Sequence, residues 1–146
     1  MLTPERFSMQ YLAWARRHVL GEPVEELGSR RIRLSYDSAD PFAVVLEIAN
    51  RDAWARWQFA RDLLAAGLHH GTGLGEVHVC PAPHEAGDRV AIILRTEPGV
   101  GFELLLRRAE IEHALAGMHA LVPSGQESAR IDWERELAAL GGGEQP

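Results

Sequence analysis

Residues Tyr36 to Cys80 read YDSADPFAVVLEIANRDAWARWQFARDLLAAGLHHGTGLGEVHVC, and strand patterns, a short helical run and a glycine-rich turn follow one another there without a linker. Ile32, Leu34 and Tyr36 alternate with Arg31, Arg33 and Ser35, and Phe42, Val44, Leu46 and Ile48 alternate with Ala43, Val45, Glu47 and Ala49. A period of two means half-buried strands, so this part predicts a hairpin. Its turn is Asp37 to Pro41: the Asp37 and Asp40 carboxylates can accept from backbone amides just downstream, and Pro41 biases Asp40 away from helix. The same aspartates could bind a cation, but nothing nearby supplies further ligands and turn chemistry accounts for both.

Beyond the hairpin, Ala55, Trp57 and Phe59 alternate with Arg56 and Gln58, which predicts a third strand. From Ala60 the helix formers Arg61 to Ala66 run up to Gly67, a residue suited to the left-handed position past a helix end. Asp62 falls in the first turn, where the helix dipole favours it. Gly71-Thr72-Gly73-Leu74-Gly75 resembles a phosphate cradle only superficially. It follows a helix and leads into the strand Glu76 to Cys80, the reverse of a nucleotide-binding loop, and the chain has no lysine to complete one. Gly73 and Gly75 are expected to make a tight helix-to-strand turn.

The 146 residues suit a single domain, 1–146, with ends at 1–10 and 141–146 expected to be flexible. Thr3, Pro4 and Glu5 announce a helix start while Phe7 to Ala15 also alternate, so a short helical or frayed start is expected to precede a strand from Tyr11 to Val19. Gly21 to Ser29 reads as a polar connection to a strand over Arg30 to Tyr36, and Pro81 to Asp88 as a loop. Val90 to Arg95 and Gly101 to Leu106, separated by Glu97-Pro98-Gly99, predict a second hairpin. Ile111, Leu115, Met118 and Val122 then recur at helical spacing until Pro123 stops them. Asp132 can cap a last helix carrying Trp133, Leu137 and Leu140, which Gly141 to Gly143 end before the tail Glu144-Gln145-Pro146. The sum is an α+β domain: about seven mostly antiparallel strands, a short helix mid-chain and two C-terminal helices.

All 15 basic residues are arginine and the formal charge is -6, which repels nucleic acid unless arginines gather on one face. Arg31 and Arg33 do share a strand side, with Arg30 opposite, and a solvated strand face accounts for them. No window approaches the ~18 apolar residues of a membrane span. Glu5, Arg6, Arg16 and Arg17 argue against a secretory peptide, so a cytoplasmic protein is expected. His69, His70, His78, His84 and Cys80 lie close in sequence, but their spacing matches no zinc motif. Cys80 precedes Pro81 at a strand end, not at a helix N-terminus where a thiolate would be favoured. Neither a catalytic set, a metal nor a cofactor is expected. Trp57 is read as core and Trp133 as packing the final helix onto the domain; Trp14 and Trp54 are read first as core and, as the alternative, as exposed aromatics that are candidate protein contacts.

Three fragments, Tyr36-Asp37-Ser38-Ala39-Asp40-Pro41-Phe42-Ala43-Val44, Phe59-Ala60-Arg61-Asp62-Leu63-Leu64 with Gly67-Leu68, and Gly73-Leu74-Gly75-Glu76-Val77-His78-Val79, closely resemble in order and spacing the SsgA-like proteins of sporulating actinomycetes. Val122-Pro123-Ser124-Gly125 and Asp132-Trp133-Glu134-Arg135-Glu136-Leu137 extend the likeness, which runs from about Arg16 to Leu140. Cys80, where that family often has Trp, and the segment before Arg30 depart from it, and the particular member stays open. The resemblance implies a whirly-like domain in a homotrimer. It implies a non-enzymatic regulator of sporulation-specific division, recruited to the septum and acting through protein contacts in septum-site localisation or septal wall remodelling. Implied partners are the tubulin-like division GTPase, other divisome and cell-wall proteins, or other SsgA-like proteins. A single-stranded nucleic-acid-binding module of whirly-like shape is the alternative. The predicted contact residues are Arg61, Asp62, Trp54 and Trp14. Arg61 and Asp62 are expected to face solvent on the short helix, while the bland alternative folds Arg61 back onto Glu or Trp side chains for packing.

Overall fold

Strand alternation organises more of the chain than the local signals suggested. The computed structural model describes residues 3–82 and 87–142. Met1, Leu2, the Pro83–Ala86 part of the expected loop (His84 included), Gly143 and the Glu144-Gln145-Pro146 tail lie outside them. A meander of four strands comes first, β1 (Arg6–Val19), β2 (Glu25–Asp37), β3 (Ala43–Asn50) and β4 (Ala53–Ala60). The helix α1 (Arg61–Ala66) leads to a second meander, β5 (Thr72–Leu74), β6 (Val77–Ala82), β7 (Arg89–Glu97) and β8 (Val100–Arg107). After it come α2 (Arg108–Leu121), a 3-10 turn over Glu127–Arg130, and α3 (Trp133–Gly142).

Among the described residues the strands form one antiparallel sheet of eight, ordered β4-β3-β2-β1-β8-β7-β6-β5. β1 and β8 join the meanders, with Trp14 opposite Leu105 and Val19 opposite Val100. The sequence connection between the two sheet edges, residues 61–71, is too short to span a flat sheet of this width, about 34 Å at strand spacing. The sheet curls, and side chains from β4 and from the β5–β6 turn line one cavity.

One face of the curled sheet is the core. Tyr11, Ala13, Ala15, Ile32, Leu34, Tyr36, Val44 and Leu46 meet Val79, Ile92, Leu94, Leu104 and Leu106, and Ile111, Ala114, Leu115 and Met118 of α2 close over them. The helix approaches closely at Gly117, where a Cβ would overlap the Phe7 ring. Trp57 is half-buried and packs against this core.

Several expectations are corrected. Residues 6–10 begin β1 and are neither helical nor frayed, because Phe7 to Gln10 pair with Arg33 to Tyr36 and that ladder outweighs the Thr3-Pro4-Glu5 cap signal. β2 starts five residues before Arg30, as Arg16 and Arg17 pair with Glu26 and Glu25. Pro81 and Ala82 continue β6, opposite Val90 and Arg89. β5 pairs only as far as Val79, so the missing amide of Pro81 costs no ladder bond. The glycine-rich segment is a β5–β6 hairpin, with Gly75 at φ 65° in its two-residue turn, rather than a plain helix-to-strand turn. Gly67 is right-handed, at φ -65°, and not left-handed; it is needed because a Cβ there would overlap Val79. Finally, α3 does not pack its apolar stripe onto the domain: Trp133, Leu137 (64% exposed) and Leu140 (70%) face outward. The Trp133 Nε1–H reaches back to Ser128 O at 3.1 Å, while Asp132 caps the helix by accepting from Arg135 N at 3.0 Å.

Candidate functional site

α1 has six residues, of which Arg61, Leu63 and Leu64 are buried and Asp62 is exposed. The expectation that Arg61 faces solvent is overturned: it is 1% exposed. A helix this short, wedged between β4 and the β5–β6 hairpin, leaves one side open, and Asp62 takes it. Arg61 turns inward because its charge is matched there. Its Nη2 meets Glu127 Oε1 at 2.6 Å, and its Nη1 donates to Val122 O at 2.7 Å and Tyr36 Oη at 3.0 Å. The guanidinium stands 5.0 Å from the Tyr36 ring centre, and Tyr36 in turn donates to Pro41 O at 2.8 Å. Glu127 also accepts from the Gly125 amide, at 3.0 Å to Oε2. Among the described residues Arg61 Nε has no hydrogen-bond partner.

The node has definite electrostatics. Hydrogen bonds from backbone amides, its own first, and from Arg61 hold the Glu127 carboxyl below the ordinary range against the opposing effect of burial. Burial, chiefly, raises the Tyr36 phenol, which stays a donor. Burial and then the Arg61 charge push His119 down. Beside the node, Arg130 Nη2 donates to Ser38 Oγ at 3.0 Å, and Ser38 also accepts from Glu5 N at 2.8 Å.

Three segments far apart in sequence therefore meet at one place. Tyr36 and Pro41, Arg61, and Val122 with Gly125 come from distant parts of the chain. The turn residues serve that meeting. Asp37 Oδ1 accepts from Ala39 N at 2.8 Å, as expected of an Asx turn. Asp40 differs from expectation, since its carboxylate accepts from the Gln58 side chain at 3.1 Å. Glu127, Ser38 and Arg130 were missed by sequence reasoning. The only signal was Gly125, at φ 88°, in a turn placed to aim an amide at a carboxylate.

Trp14 and Trp54 lie on the opposite face of the sheet. Trp14 is 40% exposed and donates to Glu26 Oε2 at 2.5 Å; Glu26 also holds Arg16 at 2.9 Å. Trp54 is half-buried under two guanidinium groups, Arg33 at 4.3 Å and Arg31 at 5.9 Å from its ring centre. Arg33 also pairs with Glu47 at 3.0 Å, and Arg30 donates to Leu27 O at 2.8 Å. The structure thus puts Trp14 and Trp54 on one face with β2 and β3 between them, about 14 Å apart by strand spacing. It does not bring Asp62 to them, because Asp62 follows the far end of β4, about 20 Å along the strand from Trp54. Among the described residues no three His, Cys, Asp or Glu side chains gather in a metal-binding arrangement, and no helix is long and apolar enough to cross a membrane.

The family model described as "Streptomyces sporulation and cell division protein, SsgA" matches residues 31–127, so Asp132 to Leu137 fall outside that match. A sporulation-specific cell division protein of Frankia casuarinae is 38% identical over 107 residues, 73% of each chain. The sporulation-specific cell division protein SsgB of Streptomyces coelicolor is 39% identical over 108 residues, 73% of this chain and 78% of the relative. The solved SsgA-like sporulation-specific cell division protein from Thermobifida fusca superposes with a TM-score of 0.70 at 29% identity, covering 91% of this chain and 95% of that one. The matched segment opens at Arg31 and closes at Glu127, spanning every residue of the Arg61 ion-pair node, and the chain belongs to the SsgA family.

Proposed function

We propose that this chain takes part in sporulation septation as a non-enzymatic binding protein that helps bring division or septal wall components to a future septum. The observation that carries this is the family: relatives at 38% and 39% identity are named sporulation-specific cell division proteins. The chemistry of the buried groups supports the binding role. Arg61, Glu127 and Tyr36 satisfy one another inside the fold, and burial, with the Glu103 charge adding, raises the Cys80 thiol and disfavours a thiolate nucleophile. Nucleic-acid binding gains no support, since Arg31 and Arg33 are spent on Trp54 and Glu47.

In this reading the outer sheet face with Trp14 and Trp54, and separately the α1 side with Asp62, carry contacts. The outer-face contacts go to other copies in a homotrimer and those at α1 to divisome partners such as the tubulin-like GTPase, and Arg61 serves by holding α1 in place. A fluorescent fusion in sporulating hyphae of Streptomyces coelicolor tests it. Ladders of septal foci are expected, with a Trp14→Ala, Trp54→Ala variant diffuse at unchanged abundance. A wild-type fusion spread evenly through the hyphae overturns the septal role.

A further inference from the structure

The two edges of the sheet are built differently. The β5 edge is three residues long, includes Gly73 and ends in the Gly75-Glu76 turn, which makes it a poor template for another strand. The β4 edge runs eight residues without proline, and its register with β3 is unbroken from Asn50↔Ala53 to Ala43↔Ala60. It lacks the bulges, prolines and short length by which natural sheets protect exposed edges. Among the described residues β4 has β3 as its only strand neighbour.

One hydrogen bond sets the phase of the free groups. The Arg61 amide donates to Phe42 O at 2.7 Å, continuing the β3–β4 ladder by one step. Hydrogen-bonded positions in an antiparallel pair recur at every second residue. The amides of Phe59, Trp57 and Ala55 therefore face β3, and those of Trp54, Arg56 and Gln58 face away from it.

Two cavities that share Trp57 accompany this edge, one of mixed lining and one mainly apolar. One, of about 350 Å³, is lined by Trp57, Phe59 and Leu63 together with Arg56, Gln58 and Glu76. The other, of about 360 Å³, is lined by Leu27, Ile48, Ala55, Phe102 and Leu104 with Trp57. A strand laid along β4 would drop every second side chain toward these cavities and turn the others to the opposite face. On the opposite face it would meet Arg56, which is exposed and whose cross-strand neighbour Glu47 is already engaged by Arg33 at 3.0 Å. A carboxylate beside Arg56 would be attracted there.

We propose that the β4 edge is a strand-addition site for an extended segment of another protein, with apolar residues at alternate positions and an acidic residue between them. Main-chain bonds to Trp54, Arg56 and Gln58 supply the affinity, and the Trp57 cavities select side chains. A second copy pairing β4 with β4 fits less well, because it brings both Arg56 side chains to the same short stretch, where like charges repel. The inference concerns how a segment is held and stands whether or not the partner belongs to a septum.

The test is selection of a displayed library of random peptides, about nine residues long, on the full chain. Enriched peptides should alternate apolar residues with Asp or Glu, and on binding should slow hydrogen exchange at the Arg56 and Gln58 amides. Their affinity, read by fluorescence anisotropy, should fall about tenfold in Arg56→Pro, which removes an outward amide and no β3 bond, and less in Arg56→Gln, which keeps the amide. Gln58→Pro is the second edge block, and circular dichroism reports folding of each. Should both proline variants unfold, the exchange measurement on the wild-type chain decides alone. No enrichment over a no-protein control, equal binding to folded proline variants, or unchanged exchange at Arg56 and Gln58 overturns the proposal. So does a drop in mass by light scattering in Arg56→Pro, which would assign the edge to contacts between copies.

Discussion

Arg56 and Arg61 stand five residues apart on one continuous segment, and the fold treats them in opposite ways. Arg56 lies exposed on the open edge of β4, where solvent screens its charge. Arg61, one residue past the same strand, is sealed among Glu127, Tyr36 and Val122. A buried charge without a partner is costly, so the Arg61 end demands a matched set of groups from distant parts of the chain. The edge around Arg56 demands nothing of the fold and keeps its backbone groups available. Substitutions at the first should change stability, and substitutions at the second should change binding.

The largest expected effect is at the node. Glu127→Ala leaves Arg61 buried and uncompensated and should cost about 3–5 kcal/mol, read from the midpoint of urea unfolding. The double variant Arg61→Leu, Glu127→Leu removes both charges and should recover part of that loss. If Glu127→Ala unfolds at the wild-type midpoint, the contrast between the two arginines collapses.

Acid should imitate part of the Glu127 change. The Glu127 carboxyl is held below its ordinary 4.5, so its contribution is complete above that pH and is lost as pH falls through the lower folded value. His119 is held below 6.5 by burial first and then by Arg61. The unfolded chain therefore takes up that proton first, and stability starts to fall as pH drops below 6.5. Unfolding midpoints should decline from 6.5 downward and again below 4.5. The lower step should vanish in Glu127→Gln, and a step that persists there would belong to other carboxylates.

Close backbone approach next to the node ranks third. Gly67→Ala pushes a Cβ into Val79 and should cost about 1–3 kcal/mol by overpacking, although the Gly67 backbone conformation suits any residue. Gly75→Ala meets open space and should be penalised through its positive φ alone, by about 1 kcal/mol. Thermal melts that rank the two the other way would mean that β6 yields around Val79.

These contrasts also mark where the sequence was legible. Strands β3, β7 and β8, β2 from Arg30 onward and the helix α2 carry unbroken periodicity, and the turn at Asp37 carries its own hydrogen-bond chemistry, so local patterns sufficed there, whereas the start of β2 at Glu25 shows only in its pairing with β1. β1 was misjudged at its start because Thr3-Pro4-Glu5 is a genuine local helix signal that pairing with β2 overrides. The inward turn of Arg61 was out of reach because its carboxylate partner lies 66 residues away, in a turn with no pattern of its own. α3 has the right period but no surface to meet within the described residues, and periodicity reports a stripe without saying what covers it.

On the outer face, Trp54→Ala removes the ring under Arg33 and Arg31 and should cost about 0.5–1 kcal/mol, because the site is only partly desolvated. Arg33 keeps its Glu47 partner in that variant, so the loss should be nearly independent of salt. A steep salt dependence would show that the Arg33–Glu47 pair needs the ring to hold its geometry.

The smallest effect on stability belongs to Asp62, and there the comparison of fold and function is sharpest. It lies beside Arg61 in sequence but on the exposed side of α1, and no hydrogen bond or ion pair ties it to the fold among the described residues. Its remaining role in the helix is its charge near the N-terminus, worth about 0.3–1 kcal/mol at most when exposed, and less in a helix of this length. Asp62→Arg should therefore shift the urea midpoint by about 0.5 kcal/mol or less and leave the oligomeric mass unchanged, whereas Arg61→Asp next door should unfold the chain. If the α1 side is a partner surface, the Asp62→Arg fusion should lose septal foci while remaining folded and equally abundant. Normal ladders of foci in that variant would confine α1 to holding Arg61 and leave Trp14, Trp54 and the β4 edge as the surfaces to pursue.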